Sequence, residues 1–178
     1  MILGIDCSTS VVGYTILDNK GKLERIGFIS IGGFEDLLEK ARFLKFMFED
    51  ILKDYDIEYI YIEDISKKFH EGFSSASVIT TLARFNGIVS YMLYELKNVK
   101  PTYFPASSAR RLAYNRSYAR GLDIKKEVFK EVMKLEPQLI WPKTKETKKH
   151  KSRAVSGSFD ATDSYTMARV GLIDRKLL

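Results

Sequence analysis

Asp160 and Asp163 stand three residues apart in the stretch "SFDATDSY" (158–165), just ahead of an apolar run formed by Met167, Ala168, Val170, Leu172 and Ile173. Positions i and i+3 share one face of a helix, so a helical reading sets the two carboxylates side by side. No basic residue lies between them in the sequence. Neighbouring carboxylates repel unless positive charge fills the space between them. Two further acids are unusually placed. Asp6 sits between Ile5 and Cys7 in the opening apolar run, and Glu63 closes the apolar stretch "EYIYIED" (58–64). Sites in α/β sheets gather at the C-terminal ends of strands. If those two strands are neighbours, Asp6 and Glu63 meet, and a closing helix can bring Asp160 and Asp163 to the same point. Taken singly, each acid is better explained as a surface, capping or turn residue. Jointly, four acids without an evident internal cation predict a hard divalent ion, Mg²⁺ or Mn²⁺.

The elements that must position these acids follow from the apolar pattern. "MILGIDCS" reads as a buried strand. "VVGYTILD" and "KLERIGFISI" read as two more strands joined by a tight hairpin, with Asn19 and Gly21 supplying the turn chemistry. Apolar residues at 34, 37, 38, 41, 44, 48, 51 and 52 predict a helix from Phe34 to about Tyr55. In the fourth strand Tyr59 and Tyr61 mark one face and Ile60 and Ile62 the other, so both faces are covered, as in a central strand. After a polar loop (65–73), "SASVITTLARFNGIVSYMLYEL" is a helix apolar almost all round. Val78, Leu82, Phe85, Val89 and Met92 lie on one side and Ile79, Ile88, Tyr91 and Leu93 on others, which predicts burial on more than one side, by the sheet and by a partner chain. "VKPTYF" is a fifth strand, with Pro101 pointing to an edge or to a strand start. Short helices follow at 106–113 and 124–135. Residues 137–157 are rich in Lys, Thr, Ser and Pro and read as a basic, mobile segment. Trp141, beside Pro142, anchors that segment to the body. The last helix is expected to open at Ser158 as its N-cap. Three antiparallel strands followed by strand–helix units predict an α/β fold with a mixed five-stranded sheet flanked by helices.

With 178 residues the chain fits one domain, 1–178, with a sizeable core. Its only cysteine, Cys7, rules out an intrachain disulfide, suits a reducing compartment and reads as a small buried residue. The N-terminus lacks a basic n-region and a small-residue cleavage site. No stretch approaches the ~18 apolar residues of a membrane helix. The expectation is a soluble, cytoplasmic protein with no membrane partner. Charge is strongly segregated: residues 1–96 hold ten Lys/Arg against 15 Asp/Glu (net −5), and 97–153 hold 16 against five (net +11). Such separation marks a polyanion-binding face. His70 and His150 are isolated and do not read as metal ligands.

Six stretches, "GIDCSTSVVGYTILDNKGKL", "YIYIED", "LARFNGIVSYML", "YFPASSARRLA", "DIKKEVFKEV" and "DATDSYTMA", occur in an order and spacing that resembles the RuvC-type Holliday junction resolvases. The resemblance covers most of the chain; its most specific parts are the opening Asp strand with its hairpin and the closing Asp-x-x-Asp helix. It implies a ribonuclease H-like fold and a crossover junction endonuclease of DNA recombination and repair. Asp6, Glu63, Asp160 and Asp163 would be catalytic and metal-binding. Two Mg²⁺ ions per site, with Mn²⁺ as a substitute, would then drive in-line phosphodiester hydrolysis. The family's basic residue on the "IKKEV" helix falls on Lys125, and its lysine after the fifth strand has Arg110 or Arg111 as an approximate counterpart. Lys67, Lys68, Lys126, Lys148, Lys149, Lys151 and Arg153 are the remaining candidates for phosphate contacts, and Phe69 is either a satellite core residue or a base wedge. Where many members carry an aromatic three residues past the second acid, this chain has Ser66, with Phe69 and Phe73 nearest; segment 137–157 is also longer and more basic than usual. Both departures resemble the divergent viral and phage branches.

The substrate implied is branched DNA. Its two-fold symmetry and paired nicks call for a C2 homodimer, with the helix over 75–96 as the interface. Three other readings remain open from the residues. One is an actin-like ATP-binding kinase or ATPase, which also opens with Gly-x-Asp and a hairpin but needs two lobes. The others are a catalytically silent DNA-structure binder and a ribonuclease H cutting RNA–DNA hybrids.

Overall fold

The computed structural model describes residues 1–65, 76–119, 121–145 and 154–178. The strands are β1 (Ile2–Cys7), β2 (Val11–Leu17), β3 (Leu23–Ser30), β4 (Tyr59–Asp64) and β5 (Thr102–Pro105). The helices are α1 (Leu37–Leu52), α2 (Ala76–Lys97), α3 (Ala106–Tyr114), α4 (Ile124–Leu135) and α5 (Gly157–Asp174). One sheet runs in the order β3-β2-β1-β4-β5, antiparallel across β3-β2-β1 and parallel across β1-β4-β5. The α/β class and the mixed five-stranded sheet expected from the pattern are therefore present. In the hairpin Gly21 takes the left-handed conformation (φ 84°) while Asp18 Oδ1 accepts from the amides of Lys20 and Lys22, both at 2.8 Å. The turn chemistry thus belongs to Asp18 and Gly21; Asn19 instead donates to Glu58.

Strand alternation divides the core in two. Leu3, Ile5, Cys7, Ile60 and Ile62 face α1 and α2, meeting Leu44, Phe48, Phe85 and Val89. Ile2 and Tyr61 face the other way, towards α5, with Val128 and Val132 of α4 and Ala109 and Ala113 of α3 alongside. Cys7 is a free, buried thiol, as expected.

Helix α5 is the hub of the second layer. It packs on four strands and on α3 and α4, and Ala161, Thr162, Ser164, Ala168, Val170 and Leu172 are all buried. Two strand glycines let it lie almost on the backbone of the sheet. A Cβ on Gly4 would stand 2.2 Å from the Ser164 carbonyl oxygen, and one on Gly13 would stand 2.1 Å from the Asp160 carbonyl oxygen. No real side chain fits at such distances.

Four expectations need correction. α5 begins at Gly157, one residue before the anticipated cap, so Ser158 lies inside the first turn with its amide donating to the Val155 carbonyl at 3.0 Å. Gly157 packs against the Phe28 ring, which carries the helical start upstream. α1 is shorter than 34–55, and its stripe is broken: Leu38 is 68% exposed, while Lys40 is buried with Nζ donating to the Thr9 carbonyl at 2.7 Å. α2 is buried along one stripe of Ile79, Phe85, Val89, Met92 and Leu93; Val78, placed on that side by the pattern, is exposed, as are Tyr91 and Tyr94. The fifth strand starts at Thr102 rather than Val99, directly after Pro101, and lies at the edge of the sheet, so both readings of Pro101 apply. No helix among the described residues is long and apolar enough to cross a membrane.

Candidate functional site

Residues 2, 4 and 6 of β1 point to the α5 side of the sheet, as the close approach of Gly4 to Ser164 requires. On β4, Tyr61 points to the same side, so Glu63, two residues on, shares its face. β1 and β4 are adjacent and parallel with Ile5 opposite Ile62. The next residue on each strand is the acid, and Asp6 and Glu63 therefore stand as neighbours at the C-terminal ends of two central strands. Gly13 is the cross-strand partner of Asp6 and is also the residue over which the first turn of α5 passes. That contact seats Asp160 and, one turn further, Asp163 above the same spot.

Asp6 and Glu63 are both buried, and so is Asp163. Burial first, then the charges of Glu63 and Asp163, and more weakly Asp160, push the Asp6 carboxyl well above the usual carboxylate range; Lys125 works in the opposite direction. Burial likewise raises Asp163, to about 6, with Glu63 and Asp160 adding to it and Arg110 and Lys125 opposing. The four acids picked from the sequence thus act on one another through space.

Positive charge in the cluster comes from elsewhere in the chain, which corrects the expectation of no internal cation. Lys125, in the first turn of α4, places Nζ 2.7 Å from Asp160 Oδ1 and 4.0 Å from Asp163 Oδ2. Burial lowers its affinity for a proton, but the hydrogen bond to Asp160 and the charges of Asp160, Asp6 and Asp163 outweigh this and raise it. Arg110 of α3 stands 3.9 Å from Asp163 Oδ1 and is largely buried, whereas Arg111 is exposed. Of the two arginines considered, Arg110 is the one at the cluster. Both also line a cleft of about 320 Å³ beside it, together with Ser107, Ser108, Arg116 and Tyr118. Arg116 is held there by Glu131 at 2.8 Å.

One contributor was not anticipated. Asn86 is buried in α2, and its amide donates to the Glu63 carbonyl at 3.2 Å, tying the helix to the end of β4 where the acid projects. Its signal was a lone amide in the apolar run "LARFNGIV". Lys126 is not part of the cluster; it pairs with Asp123 at 2.8 Å on the outer face of α4. Trp141 does anchor its segment, with its ring 5.7 Å from Phe129 and its N–H donating to Met133 Sδ at 3.0 Å. Ser66, Lys67, Lys68, Phe69, His70, Phe73, Lys148, Lys149, His150, Lys151 and Arg153 lie outside the described residues.

The donor set suits a hard divalent cation, since it consists of carboxylate oxygens without sulfur or imidazole. As the side chains stand, Asp160 and Asp163 face Lys125 and Arg110, and among the described residues no three acidic, His or Cys side chains form a ready-made metal-binding group.

No protein-family model and no curated protein sequence matches the chain. Solved structures do. The chain has the ribonuclease H-like α/β fold of the RuvC-type resolvases. Thermus thermophilus RuvC in complex with a Holliday junction substrate is 14% identical, with a TM-score of 0.67 over 98% of this chain and 94% of that one. A second T. thermophilus RuvC structure is 15% identical, with a TM-score of 0.63 over 98% and 95% of the two chains. The yeast mitochondrial Holliday junction resolvase Ydc2 is 14% identical, with a TM-score of 0.61 over 99% of this chain and 79% of that one.

Proposed function

We propose that this chain is a divalent-metal-dependent, structure-selective DNA endonuclease that resolves four-way junctions by paired nicks. The observation that carries the reading is the meeting of Asp6, Glu63, Asp160 and Asp163 at the C-terminal ends of β1 and β4, on a fold shared with proteins whose names describe junction resolution. Four mutually repelling, largely buried carboxylates are unfavourable in a protein that has no use for them. Two Mg²⁺ ions held by these oxygens would supply a hydroxide nucleophile and charge stabilisation on the leaving 3′-oxygen.

The chain's own residues do the rest. Asp6 and Glu63, fixed on rigid strands, set the geometry of the site, and Asn86 holds the end of β4 in place. Lys125 and Arg110, both at the aspartates of α5, would offer positive charge to the scissile phosphate. The arginine-lined cleft beside Arg110 receives the neighbouring backbone phosphate. The net +11 of residues 97–153 steers the duplex arms without reading sequence; Lys67, Lys68, Lys148, Lys149, Lys151 and Arg153 belong to this contribution, with Phe69 as a wedge at the branch point. A homodimer through α2 sets two such sites against opposed strands.

The test is a side-by-side assay of four-way junction, flap, linear duplex and RNA–DNA hybrid in Mg²⁺ and in chelator. Metal-dependent cutting of the junction in preference to duplex and hybrid is expected. Preferred hydrolysis of the RNA strand of the hybrid would move the chain to the ribonuclease H activity of the same fold.

A further inference from the structure

Arg110 borders both the acid cluster and the arginine-lined cleft: it stands 3.9 Å from Asp163 Oδ1 and lines the cleft with Ser107, Ser108 and Arg116. It reaches that place from α3, a helix of nine residues whose buried residues are Ala109 and Ala113. Ridges of side chains seated in grooves fix how two helices meet, and an alanine makes a shallow ridge. Two methyl groups let α3 approach α5 closely but leave its register against α5 poorly set. Directional bonds supply what this packing lacks. The Tyr114 hydroxyl lies 2.8 Å from Thr166 Oγ1, and Thr166 Oγ1 donates to the Thr162 carbonyl at 3.1 Å. A hydroxyl has one proton to give, so Tyr114 is the donor towards Thr166. Arg169 Nε donates to the Ala113 carbonyl at 2.8 Å, beside the point where α3 stops at Asn115 in the left-handed conformation (φ 48°).

We infer that Tyr114 is a positioning residue for Arg110, acting through its bond to Thr166. The inference rests on the DNA-cutting reading above and adds a residue to the same site. Tyr114 follows Arg110 by four positions on α3, and Thr166 follows Asp163 by three on α5. Residues at those spacings share a helix face. The Arg110–Asp163 pair and the Tyr114–Thr166 bond are therefore successive links between the same two faces. The run of bonds ends on the Thr162 carbonyl, which belongs to the peptide group that carries the Asp163 amide. One hydroxyl thus ties the helix bearing the cation to the turn bearing the acid. Shifting α3 by one residue along α5 would turn it by about 100° and move it by about 1.5 Å. Such a shift takes Arg110 off Asp163, and it leaves the Tyr114 hydroxyl and the Ala113 carbonyl without the partners they have now, which opposes the shift. Thr166 is buried, so water does not replace the lost partner on the α5 side.

The experiment compares the full-length wild type, Tyr114→Phe, Arg110→Met and the double variant in single-turnover cleavage of a labelled four-way junction in Mg²⁺. Junction affinity is read by anisotropy in chelator. Arg110→Met is expected to slow cutting roughly 10²-fold, and Tyr114→Phe, which displaces the cation without removing it, roughly 10-fold. The double variant should cut within about 2-fold of Arg110→Met alone, because the tyrosine has nothing left to position. Junction affinity of Tyr114→Phe should stay within about 3-fold of the wild type, so the loss falls on the rate and not on binding. Thr166→Val breaks the same bond from α5 and should behave as Tyr114→Phe does, whereas Thr166→Ser keeps the bridging hydroxyl and should cut within about 2-fold of the wild type. Thermal melts verify folding, and Thr166→Val decides the matter if Tyr114→Phe does not fold. A bond that merely stabilises the two helices slows cutting by the same factor with and without Arg110. That result, or wild-type cutting by Tyr114→Phe, overturns the inference while the DNA-cutting reading stands. A wild type that cuts no junction overturns that reading, and the positioning role falls with it.

Discussion

Lys125 bridges the two aspartates of α5, its ammonium 2.7 Å from Asp160 Oδ1 and 4.0 Å from Asp163 Oδ2. A lysine from another helix therefore supplies positive charge to both of those carboxylates. Arg110 does the same at the other oxygen of Asp163, at 3.9 Å. The repulsion implied by an Asp-x-x-Asp pair is relieved inside the chain, and a metal bound there would have to compete with that relief.

Replacing Lys125 with Met keeps the aliphatic stem and removes the charge. Lys125→Met is expected to bind Mn²⁺ several-fold more tightly than the wild type, since no ammonium has to be displaced. It should nonetheless cut a four-way junction roughly 10²-fold more slowly in a single turnover, because the cation facing the phosphate is gone. Calorimetric titration and quenched-flow cleavage give the two numbers. Unchanged Mn²⁺ affinity would show that Lys125 and the ion do not compete.

Asp163 is raised to about 6, so between pH ~4 and ~6 the folded chain binds a proton there that the unfolded chain has already released. Stability then falls as pH rises through that window, because the native state holds more protons than the unfolded state. In chelator above pH 7, Asp163→Asn should accordingly be more stable than the wild type, by about 1–3 kcal/mol, with the difference vanishing near pH 4. Saturating Mg²⁺ should narrow the gap by stabilising only the wild type. Denaturant melts at several pH values check the sign; a less stable Asp163→Asn at pH 7.5 would contradict it.

Gly13 lies under the first turn of α5, where a Cβ would come within 2.1 Å of the Asp160 carbonyl oxygen. Gly13→Ala should lift that turn, cost at least 1–3 kcal/mol and abolish cutting, since Asp160 and Asp163 lose their position over Asp6. Gly33→Ala, where nothing stands within 4 Å, should stay within about 0.5 kcal/mol of the wild type. Thermal melts with parallel cleavage assays separate the two; similar behaviour of both variants would remove the argument for close packing.

Much of this arrangement was readable from period-2 patterning. Ile60 and Ile62 against Tyr59 and Tyr61 assigned the faces of β4 correctly, and the same parity carries Glu63 to the side of Asp6. α4 spans the expected 124–135, and α3 runs one residue beyond the expected 106–113. Contacts made by residues distant in sequence were not readable. Only the family resemblance pointed to Lys125, 35 positions from Asp160, and nothing in α1 announces that Lys40 is buried for the sake of the Thr9 carbonyl. α5 was the hardest case: small residues such as Ala161, Ser164 and Ala168 surround it on all sides, so burial by six neighbours leaves no amphipathic stripe to read.

Tyr91 is 62% exposed and Tyr94 lies beside it, one turn beyond Gly87, which has nothing within 4 Å. Gly87, Tyr91 and Tyr94 form an i, i+4, i+7 row on the outer side of α2, a surface suited to a second copy of the helix. Tyr91→Glu is expected to give a folded monomer by light scattering that still binds Mn²⁺ and leaves singly nicked junctions. A wild-type protein that is monomeric both free and on a junction would rule out the dimer.

The central claim is that Asp6, Glu63, Asp160 and Asp163 form one cutting centre, separate from the groups that hold DNA. Asp6→Asn and Glu63→Gln, assayed on the same labelled four-way junction in Mg²⁺ for both affinity and cleavage, test it most directly. The account predicts junction affinity within a few-fold of the wild type and cleavage reduced by at least roughly 10³-fold in each variant. Near wild-type cutting by either one would contradict it.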